Sequence, residues 1–142
     1  MNILLAIDGS DAAQRATDHL VNVLLPALRT APTVHLLYVH LPLPMGRVQA
    51  HIGHEVLDRL YREEGDALLD PAQAQLEDAG LPVVRHLHVG DPAAVIAKLG
   101  DDYACDWLVL GSHGRSAVAG ALLGSVATKV RHLSQRPVLL VK

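Results

Sequence analysis

Residues 2–10 read Asn-Ile-Leu-Leu-Ala-Ile-Asp-Gly-Ser, an unbroken apolar run that ends in a carboxylate, a glycine and a hydroxyl. Continuous rather than alternating apolar residues are typical of a strand that is buried on both faces, as in a parallel sheet. The ending Asp8-Gly9-Ser10 is typical of a turn into a helix, and Ser10 is a favoured capping residue. This stretch therefore predicts a buried first strand and a helix that begins near Asp11.

Short apolar runs and helical stretches continue to alternate along the chain. The predicted strands are 3–7, 34–39, 83–89, 107–110 and 138–141, and the predicted helices are 11 into the 20s, 55–79, a short one from Pro92 behind an Asp91 cap, and 125–133. Strands joined by helical crossovers predict one α/β domain over 1–142, with helices on both faces of an open, doubly wound parallel sheet. The order 2-1-3-4-5 and its relatives place ligands beyond the carboxyl ends of the strands.

Two helices and one loop carry finer predictions. The apolar face of the first helix is expected to consist of Ala16, Leu20, Val23 and Leu24, and that of the long helix of Val56, Leu60, Ala67 and Leu68. Pro71 removes an N–H and crowds the carbonyl of Ala67, so a kink or a break is expected there. Gly80 is expected to end that helix. Two prolines and a glycine make 41–46 a loop.

The composition limits the class of protein. Half of the 142 residues are hydrophobic and 19% are charged, which is typical of a globular chain. The net charge of −3 and the scattered basic residues argue against binding to nucleic acid. A single cysteine, Cys105, excludes an intramolecular disulfide, fits a reducing compartment and is expected to be a buried or half-buried hydrophobe. No basic, apolar leader and no long apolar run is present, so we expect a soluble cytoplasmic protein without a membrane segment.

A glycine-rich segment follows the fourth strand. It reads Gly111-Ser112-His113-Gly114-Arg115-Ser116, and Gly124-Ser125-Val126 then opens a helix. Two glycines three residues apart let the backbone approach a ligand closely. The N–H groups of Gly124, Ser125 and Val126 are expected to bind an anion at the positive end of the helix dipole. With His113, Arg115 and Lys129 to offset charge, the segment predicts a phosphate site.

The turn after the first strand predicts a different contact. Asp8 and Asp11 would repel a phosphate there, but a carboxylate at a strand end can accept hydrogen bonds from sugar hydroxyls. We favour this role for Asp8 over one in which it only caps the turn. For Ser10 we favour helix capping.

The spacing Gly111-x2-Gly114-x9-Gly124-Ser125 resembles the ATP-binding signature of the universal stress protein family. The resemblance covers nearly the whole chain, including 6–10, 37–39, 89–92 and 136–141. It implies the strand order 3-2-1-4-5, a homodimer, and bound ATP or another adenine nucleotide, with Mg²⁺ or Mn²⁺ held through the phosphates. Pro71 and the proline-rich loop depart from the family's commoner pattern. The resemblance therefore does not predict which residues cover the base, whereas its prediction of the phosphate site is unaffected.

The resemblance also implies the site residues. Phosphate contacts are assigned to Gly111, Gly114, Gly124, Ser125 and Val126, with Leu110 and His113 lining the site. Asp8 is assigned to the ribose or the adenine edge, beside Ala6 and Ile7, and Val39 is assigned to adenine through its backbone. Because 138–141 would be an apolar edge strand, we expect the homodimer to pair through it.

Several functions compete on this fold. A nucleotide-binding module in stress response is favoured, because hydrolysis needs a positioned base and only His113 is a candidate. A weak ATPase, an adenylating enzyme and a nucleotide-free stress protein acting through protein interaction are the alternatives. A phosphoacceptor domain using Asp8 is disfavoured, because the third strand ends His88-Val89-Gly90 without an acidic residue.

Nine histidines raise the question of a metal site. His86 and His88 lie two apart on a strand, and His51 and His54 lie three apart near a helix start. A metal site usually needs three or four ligands, so we predict no metal site and interpret these histidines as solvated strand and helix ends.

Overall fold

Five strands alternate with helices in the computed structural model, which describes residues 1–44, 53–115 and 123–142. The strands are β1 Asn2–Ile7, β2 Thr33–His40, β3 Val83–Val89, β4 Trp107–Gly111 and β5 Val138–Val141. The helices are α1 Asp11–His19, α2 Leu25–Ala27, α3 His54–Asp78, α4 Pro92–Asp102 and α5 Ser125–Leu133. All strand pairs are parallel and the order is β3-β2-β1-β4-β5. The predicted α/β fold and the order implied by the resemblance are confirmed.

Alternate residues of β1 face opposite layers of the protein. Ile3, Leu5 and Ile7 pack in a core with residues of α1 and α3, whereas Leu4 and Ala6 pack with residues of α4 and α5. Both faces of the strand are therefore covered, which explains its unbroken apolar sequence.

The register of the strands brings their carboxyl ends to one edge. Ile7 lies beside Tyr38 of β2, and Ala6 lies beside Leu110 of β4. The segments that follow these three strands therefore start next to one another, as the doubly wound fold requires for a ligand site.

A π-helical turn, Leu20–Leu24, joins α1 to α2 and changes the predicted apolar face. In this turn Leu25 donates its backbone N–H to the carbonyl of Leu20, five residues earlier. Ala16 and Leu20 are buried as predicted, but Val23 is 53% exposed. The prediction for Val23 was wrong because the extra residue in the turn rotates it away from the core.

The buried face of α3 lies one position away from the predicted one. Its buried residues are Leu57, Gly65, Leu69, Ala72 and Leu76, whereas Val56 and Leu60 are each 47% exposed. Gly65 is part of this face because a Cβ there would lie 2.5 Å from Cδ1 of Leu87 on β3. Apolar residues spaced by threes and fours occur on both faces of α3. Gly65 has no apolar side chain to mark the buried face, so the sequence pattern favoured the exposed face.

The helix α3 continues through Pro71, so the predicted break is absent. Pro71 and Ala67 are both exposed, and solvent can therefore satisfy the carbonyl that loses its hydrogen bond. Gly80, at φ +80°, ends the helix as predicted. It donates its N–H to Glu77, and Leu81 donates to Leu76, which is the Schellman arrangement.

The remaining local predictions concern a cap, a loop and the cysteine. Asp91 caps α4 by accepting the N–H of Ala94 at 3.1 Å, with Pro92 as the first helical residue. Residues 41–44 lie outside helices and strands, and 45–46 lie outside the described residues. Cys105 is fully buried, and burial raises the pKa of its thiol. No helix in the described parts of the chain has the length and apolar character to cross a membrane.

Candidate functional site

A cavity of about 690 Å³ opens at the carboxyl edge of the sheet. This volume is in the usual range for small-molecule sites. Every residue predicted to contact the nucleotide lines it: Ala6, Ile7, Asp8, Val39, Leu110, Gly111, His113, Gly114, Gly124, Ser125 and Val126. The structure thus brings the residues of three separate segments to one site.

One side of the cavity is apolar. Leu37, Val39 and Leu110 contribute from the strands, and Pro92 and Ile96 contribute from the start of α4. Leu37, Val39, Leu110 and Ile96 belong to the core between the sheet and the helices α4 and α5. A flat apolar group such as a nucleobase would lose its water on this side without leaving a charged group unpaired.

The glycines of the predicted phosphate loop allow close approaches within the protein itself. A Cβ at Gly111 would lie 2.7 Å from the backbone carbonyl carbon of Ala12 and 2.8 Å from the backbone nitrogen of Ala13. Gly111 is therefore required where the end of β4 meets the start of α1. A Cβ at Gly124 would lie 3.2 Å from both the Ser112 carbonyl oxygen and Cα of His113.

The N-terminus of α5 differs from our prediction in one respect. Gly124 is its N-cap, and it donates its backbone N–H to the carbonyl of Ser112 at 2.7 Å. We predicted that this N–H binds a phosphate, but it already donates to Ser112 and is not available. Ser125 and Val126 are the first two residues of α5, so their N–H groups have no acceptor within the helix. These two N–H groups can therefore donate to an acceptor outside the helix.

Asp8 lines the cavity and also organises its turn. Oδ1 accepts the backbone N–H of Ser10 at 2.9 Å, and a Cβ at Gly114 would lie 2.9 Å from Oδ2. The carboxylate therefore does cap the turn, and its second oxygen lies against the glycine loop. The Ser10 hydroxyl accepts the N–H of Ala13 at 3.1 Å, which confirms its capping role.

The three predicted counter-charges have protein partners. Nζ of Lys129 lies 3.8 Å from Oδ1 of Asp91, and Nη1 of Arg115 lies 3.5 Å from Oε1 of Glu64. Nδ1 of His113 lies 2.9 Å from the hydroxyl of Ser112. Lys129 and Arg115 are largely exposed, so both pairs are weak and can exchange partners.

Sequence reasoning missed a polar cluster on the α3 side of the cavity. Tyr38 donates its hydroxyl hydrogen bond to Oε1 of Glu64 at 3.1 Å, and Nε2 of His40 lies 2.6 Å from Oε2. Tyr38, His40 and Glu64 all line the cavity. Tyr38 and His40 could have been noticed at the end of a strand, but Glu64 reaches them only because α3 packs against β2.

The cluster has a defined protonation pattern. Burial, followed by the charge of Glu64, raises the pKa of Tyr38 to about 12, so the phenol remains a donor. The hydrogen bond from His40 is the main cause that lowers the pKa of Glu64, which keeps it a carboxylate at neutral pH.

The histidines suggested as metal ligands lie elsewhere. Nε2 of His86 is 3.0 Å from Nδ1 of His35, and Tyr103 stacks on the ring of His35 and lies tilted against that of His86. Because His86 is only 9% exposed, its interpretation as a solvated strand end was wrong. The rings of His86 and His88 are 6.4 Å apart between centroids. His54 is the exposed first residue of α3, and His51 lies outside the described residues.

Comparison with known proteins identifies the family. The family model described as the universal stress protein family matches residues 1–142. The chain belongs to this family. Its α/β fold and its strand order β3-β2-β1-β4-β5 are therefore those of a universal stress protein.

Individual relatives agree with this assignment. Universal stress protein MJ0531 of Methanocaldococcus jannaschii is 30% identical over 140 residues, which is 99% of this chain and 81% of that protein. The structure of the M. jannaschii protein MJ0577 is similar with a TM-score of 0.86 and 31% identity, over 99% of this chain and 94% of that one. A universal stress protein in complex with cAMP is similar with a TM-score of 0.70 and 25% identity, over 100% and 97% of the two chains.

Proposed function

We propose that this chain is an ATP-binding universal stress protein that acts as a nucleotide-binding module in stress response. The observation that carries the proposal is the cavity, which is lined by apolar side chains, by the glycine signature and by the N-terminus of α5. A family member that binds cAMP has the same fold, which supports an adenine nucleotide as the ligand.

Each part of the nucleotide has a matching part of the cavity. The base is assigned to the apolar side, where Val39 ends the buried part of β2. The ribose is assigned to Asp8, whose Oδ2 can accept from a hydroxyl. The phosphates are assigned to the N–H groups of Ser125 and Val126, where the α5 dipole adds favourable charge. These donors would each contribute about 1.5–3 kcal/mol as charge-assisted hydrogen bonds.

A divalent ion would be bound mainly through the phosphates. Among the described residues, histidines, cysteines and acids do not form a group of three or more that could hold a metal. Mg²⁺ usually keeps several waters and binds through substrate phosphates, so this arrangement fits Mg²⁺ or Mn²⁺ that arrives with ATP.

Slow or absent hydrolysis is part of the proposal. His113, the base candidate named from the sequence, lies against the Ser112 hydroxyl inside the glycine loop. We expect turnover far below the ~1–10³ s⁻¹ of ordinary enzymes. Rapid phosphate release that disappears in a His113→Ala variant would instead favour an ATPase.

A homodimer through β5 completes the proposal. Leu139 and Val141 pack on one core, and Val138 and Leu140 pack on the other, while only one edge of β5 is paired within the sheet. An apolar strand with a free edge is protected when two copies pair through it. Sedimentation at tens of micromolar should show a dimer, in line with a cytoplasmic protein that stays soluble.

Retained nucleotide is the decisive measurement. The protein is purified under native conditions, denatured, and its released small molecules are identified by mass spectrometry. We expect ATP from the parent chain and none from a Gly124→Asp variant purified in parallel. Release of AMP or cAMP in place of ATP would change the nucleotide that we assign to the site but not the location of the site. A parent chain that releases no nucleotide and shows no heat of binding with added ATP would leave the nucleotide-free alternative.

A further inference from the structure

Glu64 is fixed at the edge of the cavity by donors from β2. Its two carboxylate oxygens contact the Tyr38 hydroxyl at 3.1 Å and Nε2 of His40 at 2.6 Å. The other ring nitrogen of His40 lies 2.6 Å from the carbonyl oxygen of Leu41. The ring of His40 therefore lies between the Glu64 carboxylate and the backbone that follows β2. Glu64 is therefore held as a carboxylate whose position is set by the sheet.

Arg115 reaches the same carboxylate from the glycine loop. Its Nη1 lies 3.5 Å from Oε1 of Glu64. Its side chain also passes over the turn after β1, since a Cβ at Gly9 would lie 2.9 Å from Nη2. The guanidinium thus extends from the signature segment across Gly9 toward α3.

We propose that Glu64 is a specificity determinant of the nucleotide site, which competes with the phosphates of the ligand for Arg115. The inference rests on the proposed function. A guanidinium matches a carboxylate and a phosphate equally well in geometry, so it can exchange one for the other. The contact with Glu64 is long and about half exposed, so it is weak enough for a phosphate to replace it.

Competition for Arg115 predicts that Glu64 affects nucleotides according to their phosphate number. Adenosine has no phosphate and does not compete with Glu64. ATP carries the most negative charge, so its affinity should increase most when Arg115 is released from Glu64. Glu64 therefore lowers the preference of the site for ATP over adenosine, and AMP should be intermediate.

The test is calorimetric titration of the full chain with adenosine, AMP and ATP at one pH and ionic strength. Glu64→Gln keeps an acceptor for Tyr38 and removes the charge. It should raise the ratio of ATP to adenosine affinity about three- to fivefold, the range of an exposed ion pair. In an Arg115→Gln background the same change should alter the ratio less than about twofold. Glu63→Gln, the same substitution at an exposed neighbour on α3 that does not line the cavity, should leave the ratio unchanged.

Each contrary outcome has a distinct meaning. An equal change for adenosine and ATP in Glu64→Gln would overturn the inference and make Glu64 a purely structural residue. The same gain in both backgrounds would also overturn it, because Glu64 would then repel phosphate directly. If Glu64→Gln does not fold, Arg115→Gln alone decides: it must weaken ATP and spare adenosine. Failure of the parent to bind all three ligands would instead reject the proposed function itself.

Discussion

The two polar sides of the cavity are built in different ways. The side formed by Gly111 and the start of α5 offers backbone groups, which are placed by a helix N-terminus and by close contacts between loops. The side formed by Tyr38, His40 and Glu64 offers side chains, which are placed by packing between α3 and β2. The first side lies within one segment of the sequence, and the second joins residues 24 or more positions apart.

This difference separates what each side can contribute to binding. Backbone N–H groups at a helix N-terminus are present in any sequence that forms the turn, so they suit the constant part of a ligand, its phosphate. Side chains vary without disturbing the turn, so they suit discrimination between related ligands. Substitutions on the two sides should therefore change nucleotide affinity by different amounts, and the changes should depend differently on which ligand is bound.

Gly124→Asp should have the largest effect, on the backbone side. An aspartate at the N-cap accepts N–H groups of the first turn of α5, and so takes up the donors that a phosphate needs. Its charge also repels the phosphates. We expect ATP to bind at least ~100-fold more weakly, or about 2.7 kcal/mol, by calorimetric titration.

Gly124→Ala separates charge from size in this experiment. Its Cβ meets the same atoms at 3.2 Å but brings no acceptor and no charge. It should weaken ATP much less than the aspartate does. If Gly124→Asp folds and binds ATP like the parent, the glycine signature has been misinterpreted and the backbone side is not the phosphate site.

Asp8→Ala should have a smaller effect, which does not depend on phosphate number. The carboxylate is assigned to the nucleoside, so its loss should weaken adenosine and ATP alike, about tenfold or 1.4 kcal/mol. Asp8→Asn is the matched variant, because an amide oxygen can still accept the Ser10 N–H. A loss confined to ATP would assign Asp8 to the phosphate end and contradict the comparison.

Most of the fold could be predicted from the sequence because it depends on local patterns. Short apolar runs, which polar residues interrupt in β2 and β3, predicted all five strands, and capping residues such as Asp91 and Gly80 predicted helix ends. The errors occurred where two patterns compete. The faces of α3 were misassigned because Gly65, which has no apolar side chain, belongs to the buried one.

The candidate site was predictable to the extent that it is made of backbone. The signature residues were found because glycine spacing reports close approaches, although Gly111 and Gly124 serve contacts within the protein as well. Glu64 could not be found, since nothing near it in sequence indicates that it meets Tyr38. The use of the Gly124 N–H by Ser112 was equally hidden, because it depends on how two loops meet.

Asp91→Ala should leave both sides of the cavity intact. Asp91 caps α4, so its loss should lower the free energy of unfolding by ~1 kcal/mol. Its contact with Lys129 is 3.8 Å long and exposed, so ATP affinity should change less than about twofold. Asp91→Asn should keep the stability, because asparagine caps equally well. A large loss of ATP affinity in either variant would make the start of α4 part of the phosphate site.

The pair His35–His86 should not affect ligand binding on either side of the cavity. It should affect only the stability of the fold. The two rings share one hydrogen bond of 3.0 Å and are 6% and 9% exposed. Burial lowers the pKa of both, and the charges of His35 and His88 lower that of His86 further. The folded chain therefore holds these histidines neutral at pH values where the unfolded chain has begun to protonate them.

The sign of the pH dependence follows from this difference. Below the ordinary histidine pKa of about 6.5 the unfolded state binds more protons, so the free energy of unfolding should fall as the pH decreases from there through the lowered folded-state values. Denaturant unfolding from pH 7.5 to 5 measures it. His86→Gln keeps a hydrogen-bonding partner for His35 and should make the slope shallower, whereas His132→Gln, at an exposed position of α5, should not. An unchanged slope in His86→Gln would show that other groups cause the acid sensitivity.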